Sequence, residues 1–341
     1  MAYTTINKGT DYFNTKLYTG NSSTNAVTGV GFQPDFVWLK PRNLADHHRA
    51  MDAVRTASYF LSPNQTDTQG STGSNFASFD SDGFTLGGSD GGWNNSSYNY
   101  VTWNWKANGS GSANTDGSTS STVSANQTAG FSIVKYTNPG SGTPYTVGHG
   151  LGAEPKMIIT KRLDAAQTWG VWHTGIGFGK YLRLDSTAAE ASANLVTATS
   201  TTTFSTYWDH HDSGAQIIAY CFSPIKGYSK FGSYTGNGSA DGTFIYTGFK
   251  PAFLLIKRYD TTEGWQIFDN KRDPDNVVEA RLEANDSAVE NTSIDWMDLC
   301  SNGFKIRYNG GGVGASGGTY IYMAFAESPL IGTNNTPVTA R

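Results

Sequence analysis

The chain is short of charge, of cysteine and of long apolar runs, and each scarcity excludes something. Charged residues make up 15 % of its 341 positions, too few to clothe the solvent faces of long helices. Cys221 and Cys300 are its two cysteines, without a CxxC spacing or a second pair. Neither a disulfide framework nor a zinc knuckle is expected, and both thiols read as buried and free. No stretch reaches the ~18 apolar residues of a membrane-spanning helix. The opening MAYTTINKGTDYF has neither the basic start nor the apolar run of a signal peptide. With a net charge of −4 and no Lys/Arg cluster, the chain offers no electrostatic footprint for nucleic acid.

What is plentiful points to strands and turns. Glycine occurs 40 times and aromatic residues make up 13 % of the chain. Three phrases nearly repeat: GFQPDFVWLKPR (31–42), GAEPKMIITKR (152–162) and GFKPAFLLIKR (248–258). Their prolines, Pro34, Pro155 and Pro251, stand on the order of a hundred residues apart, the size of a domain. A lysine follows each at the same interval: Lys40, Lys161 and Lys257. Tyr18-Thr19-Gly20, Tyr136-Thr137-Asn138 and Tyr234-Thr235-Gly236 precede the phrases, and aromatic strands close each copy at 98–105, 215–222 and 319–329.

In the third copy VVEARLEA (277–284) alternates strictly, with Val278, Ala280, Leu282 and Ala284 on one face and Glu279, Arg281 and Glu283 on the other. Thr187 with Glu190 and Ser287 with Glu290 match capping boxes, and Thr66 with Gln69 is a weaker echo. A short helical turn is expected after each such strand. Asp82-Gly83 and Asn302-Gly303 mark tight turns into a following strand.

This grammar predicts an all-β protein of three consecutive antiparallel β-sandwich modules, at 1–107, 128–227 and 228–331. Residues 108–127, rich in Gly, Ser and Thr, read as a flexible or extended linker, and 332–341 as a tail. The junction between the second and third modules, which has no spacer, is expected to be the stiffer one. The strand after each proline is apolar on both faces, unlike a half-solvated sheet strand. Its second face needs cover from within the module, from a neighbouring module or from another subunit.

The candidate chemistry is sparse. Asp209, His210, His211 and Asp212 are metal-competent in type, but a strand would send neighbours to opposite faces, and the third copy has no such cluster. A solvated polar loop is the competing reading. His47, His48 and His173 read as loop or strand-edge groups, and the slots aligned with His173 hold Asp52 and Asp269. Asp273 and Asp275 lack the glycine and closing glutamate of an EF-hand loop. Glu279, Arg281 and Glu283 suit a salt-bridged face better than a paired-carboxylate site. Trp93, in the Gly-rich stretch GGSDGGW (87–93), is a candidate stacking platform for a sugar. Its alternative is a ring folded over its own hairpin. Neither that stretch nor YNGGGVGASGG (308–318) precedes a helix, so both read as hairpin loops rather than phosphate cradles. No cofactor is expected.

INKGTDYFNTKLYTGN, GFQPDFVWLKPRN, HGLGAEPKMIITKR, GYSKFGSYTGNGSADGTFIYTGFKPAFLLIKR and GGTYIYMAFAESP together resemble a group of uncharacterised repeat proteins of tailed, mainly marine bacteriophages. The resemblance spans essentially the whole chain. It implies a non-enzymatic virion component made in the host cytoplasm, with lectin-like or immunoglobulin-like β-modules on the particle surface, and it supplies no functional residues. A capsid decoration protein or a fibre component is expected, with other virion proteins as partners and a homotrimer as the expected assembly. No nucleic acid and no membrane insertion is expected. A host-glycan-binding fibre protein is the alternative, and a glycan-degrading enzyme a more distant one.

Overall fold

The computed structural model describes residues 3–140, 142–207, 212–332, 334 and 336. Nearly all of its regular structure is antiparallel strand, and a 3-10 turn, Gly9–Asp11, is the one helical element among the described residues. Apart from a two-stranded ladder of Tyr59–Phe60 with Gly70–Ser71, the strands form larger and smaller sheets in three pairs, here called lobes.

In lobe 1 the larger sheet runs Phe13–Thr19, Asn99–Trp105, Phe36–Pro41, Arg49–Asp52. In lobe 3 the same positions are taken by Ser229–Thr235, Thr319–Pro329, Phe249–Arg258 and Trp265–Asp269, with Leu282–Glu283 at the edge. Lobe 2 repeats this order with Phe131–Thr137, Gln216–Phe222, Met157–Arg162 and Gly170–His173, then extends it at both ends. Each smaller sheet has three strands, and in lobe 3 these are Phe244–Tyr246, Gly303–Ile306 and Met297–Cys300. Two-residue turns at Ser81-Asp82 and Ser301-Asn302 deliver Gly83 and Gly303 to the start of a strand. There a Cβ would lie 2.0 Å from the Val27 carbonyl oxygen or 2.1 Å from that of Ile245. Only glycine fits so close a backbone approach.

The doubly apolar strands are explained by two cores. Val37 and Leu39 face the interior of lobe 1, Ile158 that of lobe 2, and Leu254 and Ile256 that of lobe 3. Their alternates, Phe36 and Trp38, Met157 and Ile159, Phe253 and Leu255, all enter one central core. The neighbouring lobes therefore cover the second face. Trp105 is the hub of that core. Its ring lies 4.8 Å from Phe13, 6.4 Å from Phe131 of lobe 2 and 5.7 Å from Phe253 of lobe 3. The space left beside Trp105, Trp169 and Tyr220 is ≈ 10 Å³, at most about one water's worth, and it is lined by apolar side chains. Each large side chain so buried contributes on the order of 1.5–3 kcal/mol.

Two expectations are corrected here. Residues 108–127 are not a loose tether, because Ser112–Asn114 and Ser121–Asn126 pair in succession onto the edge of the lobe 2 sheet. The buried Asp35 carboxylate accepts from the amides of Ala107 (2.7 Å) and Gly109 (3.2 Å), anchoring the start of this segment to lobe 1. The expected difference in stiffness between the two junctions loses its basis. The capping-box segments at 66–69, 187–190 and 287–290 are irregular loop rather than helical. Their amides bond between lobes: Gln69 N to Leu163 O (3.1 Å), Glu190 N to Tyr259 O (2.9 Å) and Glu290 N to Arg42 O (2.8 Å).

Candidate functional site

The most chemically loaded region is the set of seams between lobes, where matching positions do matching work. Trp169 donates its ring N–H to Ser62 O (3.0 Å) and Trp265 to Arg183 O (2.8 Å). His48 fills the same slot in lobe 1. Its Nδ1 accepts from Trp38 Nε1 (2.9 Å), so Nε2–H donates to Glu283 O (3.0 Å). These bonds link lobe 2 to 1, lobe 3 to 2 and lobe 1 to 3, which closes a ring.

The second slot holds Asp52, His173 and Asp269, each fully buried. Asp52 accepts from Tyr220 of lobe 2 (2.8 Å), and Asp269 from Trp103 of lobe 1 (3.0 Å). Arg55 and Arg272 lie 2.6 Å from these carboxylates, and Arg272 continues to Glu290 (3.0 Å), which also pairs with Arg42. The lobe 3 position that corresponds to Tyr220 and Trp103 is Met323, which has no proton to give. Gly175 N donates to His173 Nδ1 (2.9 Å), and His173 Nε2–H reaches Tyr322 O (3.3 Å). The change from Asp to His thus follows the change of partner. His48, in the loop just before Arg49–Asp52, and Asp52, on the edge strand of its sheet, have the loop or strand-edge placement expected, whereas His173 and Asp269 lie on interior strands. All four are buried against another lobe. Burial pushes His173 down to about 4 and His48 well below the usual range, so both rings are neutral.

The three lysines of the repeated phrase are fully buried too. Lys161 Nζ donates to Thr66 O (3.0 Å) across one seam, and Lys257 Nζ to Thr187 O (3.1 Å) and Glu263 O (2.7 Å). Lys40 Nζ reaches Pro41 O (2.8 Å) and Leu44 O (3.3 Å). Burial lowers each to about 8, against the pull of nearby carboxylates.

Trp93 is not an exposed platform. It is 3 % exposed, packs edge-on against Phe60 at 5.3 Å and lies under Arg49. Its carbonyl accepts from Tyr18, as that of Val313 accepts from Tyr234 in lobe 3. Both Gly-rich loops wrap a tyrosine whose hydroxyl donates back to a loop carbonyl, Tyr100 to Gly91 O and Tyr320 to Gly311 O, each at 2.8 Å. Aligning GGW with GGV would have placed Trp93 in the core from sequence alone. Asp209, His210 and His211 lie outside the described residues, while Asp212 pairs with Arg162 at 2.7 Å. Asp273 caps the amides of Glu279 (2.6 Å) and Ala280 (3.1 Å), and Arg281 pairs with Glu283 at 2.7 Å. Among the described residues no group of three or more His, Cys, Asp or Glu side chains could hold a metal ion. Among the described residues, too, no helix is long and apolar enough to cross a membrane.

Open polar depressions remain on the surface. The one at the seam of lobes 1 and 2 has a volume of ≈ 470 Å³ and includes Gln167, Arg183 and Asp185. Asp185 is engaged by Thr168 (2.6 Å) and the Trp169 amide (2.8 Å), and Arg183 by the Tyr181 hydroxyl (2.9 Å). Fold and seams together define a class: an all-β protein whose lobes are fastened around a common aromatic core. The chain belongs to the family described as domain of unknown function DUF7483, which matches residues 8–329. No curated protein and no solved structure matches it.

Proposed function

We propose that the protein is a non-enzymatic structural component of a tailed-phage virion, displayed on the particle surface as a decoration or appendage protein. The observation that carries this reading is the use made of the buried polar side chains. His48, Asp52, His173, Asp269 and two of the three lysines, Lys161 and Lys257, are spent on fastening lobe to lobe. A body so fastened, with sheets inside and turns outside, suits a particle surface exposed to proteases and shear. The phage-like phrases of the sequence support the same reading. Its partners would then be other virion proteins. A homotrimer is not required to cover the second face of the repeated strands, because the lobes already cover it.

The test is to purify particles of the encoding phage and label them with antibody against this chain. Regular labelling of the capsid or an appendage is expected. Absence of the chain from infectious particles would overturn the reading.

A further inference from the structure

One surface strip departs from the self-satisfied chemistry of the seams. On the edge strand Phe244–Tyr246, Ile245 points into the lobe 3 core, so Phe244 and Tyr246 point outward and are 45 % and 49 % exposed. Phe244 lies across Gly303, the close-approach glycine of the next strand. Residues two apart on a strand stand roughly 6.5 Å from one another along it, so the two rings stand side by side on the same outer face. The Tyr246 hydroxyl meets that of Tyr3 at 3.5 Å, which lengthens the strip.

Ammonium groups, not carboxylates, flank these rings. Lys226 Nζ sits 4.3 Å from the Tyr3 ring centre and Lys230 Nζ 5.4 Å from that of Tyr246. The neighbouring acids Asp241 and Asp298 are engaged by Lys305 and Arg307. A locally cationic aromatic strip thus sits on a chain whose net charge is −4. Exposed rings suit the apolar faces of sugars, and the ammonium groups suit their carboxylates.

We propose that the strip formed by Tyr3, Lys226, Lys230, Phe244 and Tyr246 binds an acidic polysaccharide of the uronate type. The sugar faces lie on Phe244 and Tyr246, and the uronate carboxylates meet Lys226 and Lys230. The site does not depend on where the chain is displayed, so particle labelling and polysaccharide binding can fail separately.

Affinity electrophoresis of the full chain through gels holding polygalacturonate or dextran tests this. Polygalacturonate is expected to retard the protein and dextran to leave it unaffected, with retardation falling as salt rises. Phe244→Ala and the Lys226→Gln/Lys230→Gln double variant are each expected to weaken retardation by roughly tenfold. The lysine pair serves as the arm that does not depend on the cover over Gly303, should Phe244→Ala unfold. No retardation by polygalacturonate, equal retardation by dextran, or unchanged retardation in the folded lysine variant would each overturn the proposal.

Discussion

At the scale of single residues, buried titratable groups shape how stability responds to pH. Lys40, Lys161 and Lys257 titrate near 8 when folded and near 10.4 when unfolded. Between these values the unfolded chain binds more protons, so stability rises with pH. At the acid end His173, near 4 when folded, makes stability fall as pH drops through about 6.5 toward 4. Above pH 10 the deeply buried tyrosines, Tyr220 and Tyr228 among them, are raised by burial and reverse the trend. The expected profile peaks near pH 9–10 rather than near neutrality. Urea melts from pH 5 to 11 check this, and a maximum below pH 8 would refute it. In Lys257→Met the gain between pH 8 and 10 should shrink, because one of the three lysines no longer titrates. Cys221 gives a second probe at this scale. It is fully buried on Gln216–Phe222, and burial pushes its thiol up. A thiol reagent should modify it only at the rate of unfolding, whereas the half-buried Cys300 should react in the native protein.

At the scale of elements, the seams separate costly ion pairs from cheap ones. Asp269 and Arg272 are fully buried, and Trp103 both donates to the acid and lies under the guanidinium at 5.6 Å. Asp269→Asn leaves the buried Arg272 guanidinium with Glu290 as its remaining carboxylate and should cost about 3 kcal/mol, the lower end for breaking a buried pair. Asp11→Asn, in the exposed pair with Lys8, should leave the denaturation midpoint within error of wild type. The same elements show what could be read in the chain. The strand after each proline, the alternation at 277–284 and the Gly83 and Gly303 turns carry local periodicity, so they were legible. Buried Val278, Ala280, Leu282 and Ala284 alternate with exposed or half-buried Glu279, Arg281 and Glu283. The Thr/Ser-x-x-Gln/Glu segments misled, because the motif speaks only to local bonding. The amides of Gln69, Glu190 and Glu290 are claimed by carbonyls of other lobes. A single sequence holds no periodic trace of such non-local partners. Trp93 was misread for the opposite reason. Its core role is visible only by comparison with Val313, and the two side chains share little but apolarity.

At the scale of the whole molecule, the central core decides whether the lobes are independent. In a string of modules each would bury its own core and melt alone. Here Phe253, Leu255, Trp265, Ile321, Met323 and Phe325 of lobe 3 all belong to the core shared with the other lobes. At roughly 1.5–3 kcal/mol for each large side chain exposed, separating the lobe forfeits about as much as the 5–15 kcal/mol that a folded domain usually holds. A fragment of residues 228–331 should therefore fail to fold. The full chain should unfold in a single transition with a van't Hoff to calorimetric enthalpy ratio close to one. Independent lobes would give a ratio of about one third and a fragment with its own melting transition. Trp105→Ala sharpens the contrast, because Trp105 touches aromatic rings of all three lobes. In a shared-core molecule this one change, at about 3–5 kcal/mol, lowers the single transition as a unit. In a chain of separable modules it would lower the melting of lobe 1 and leave the other two where they were.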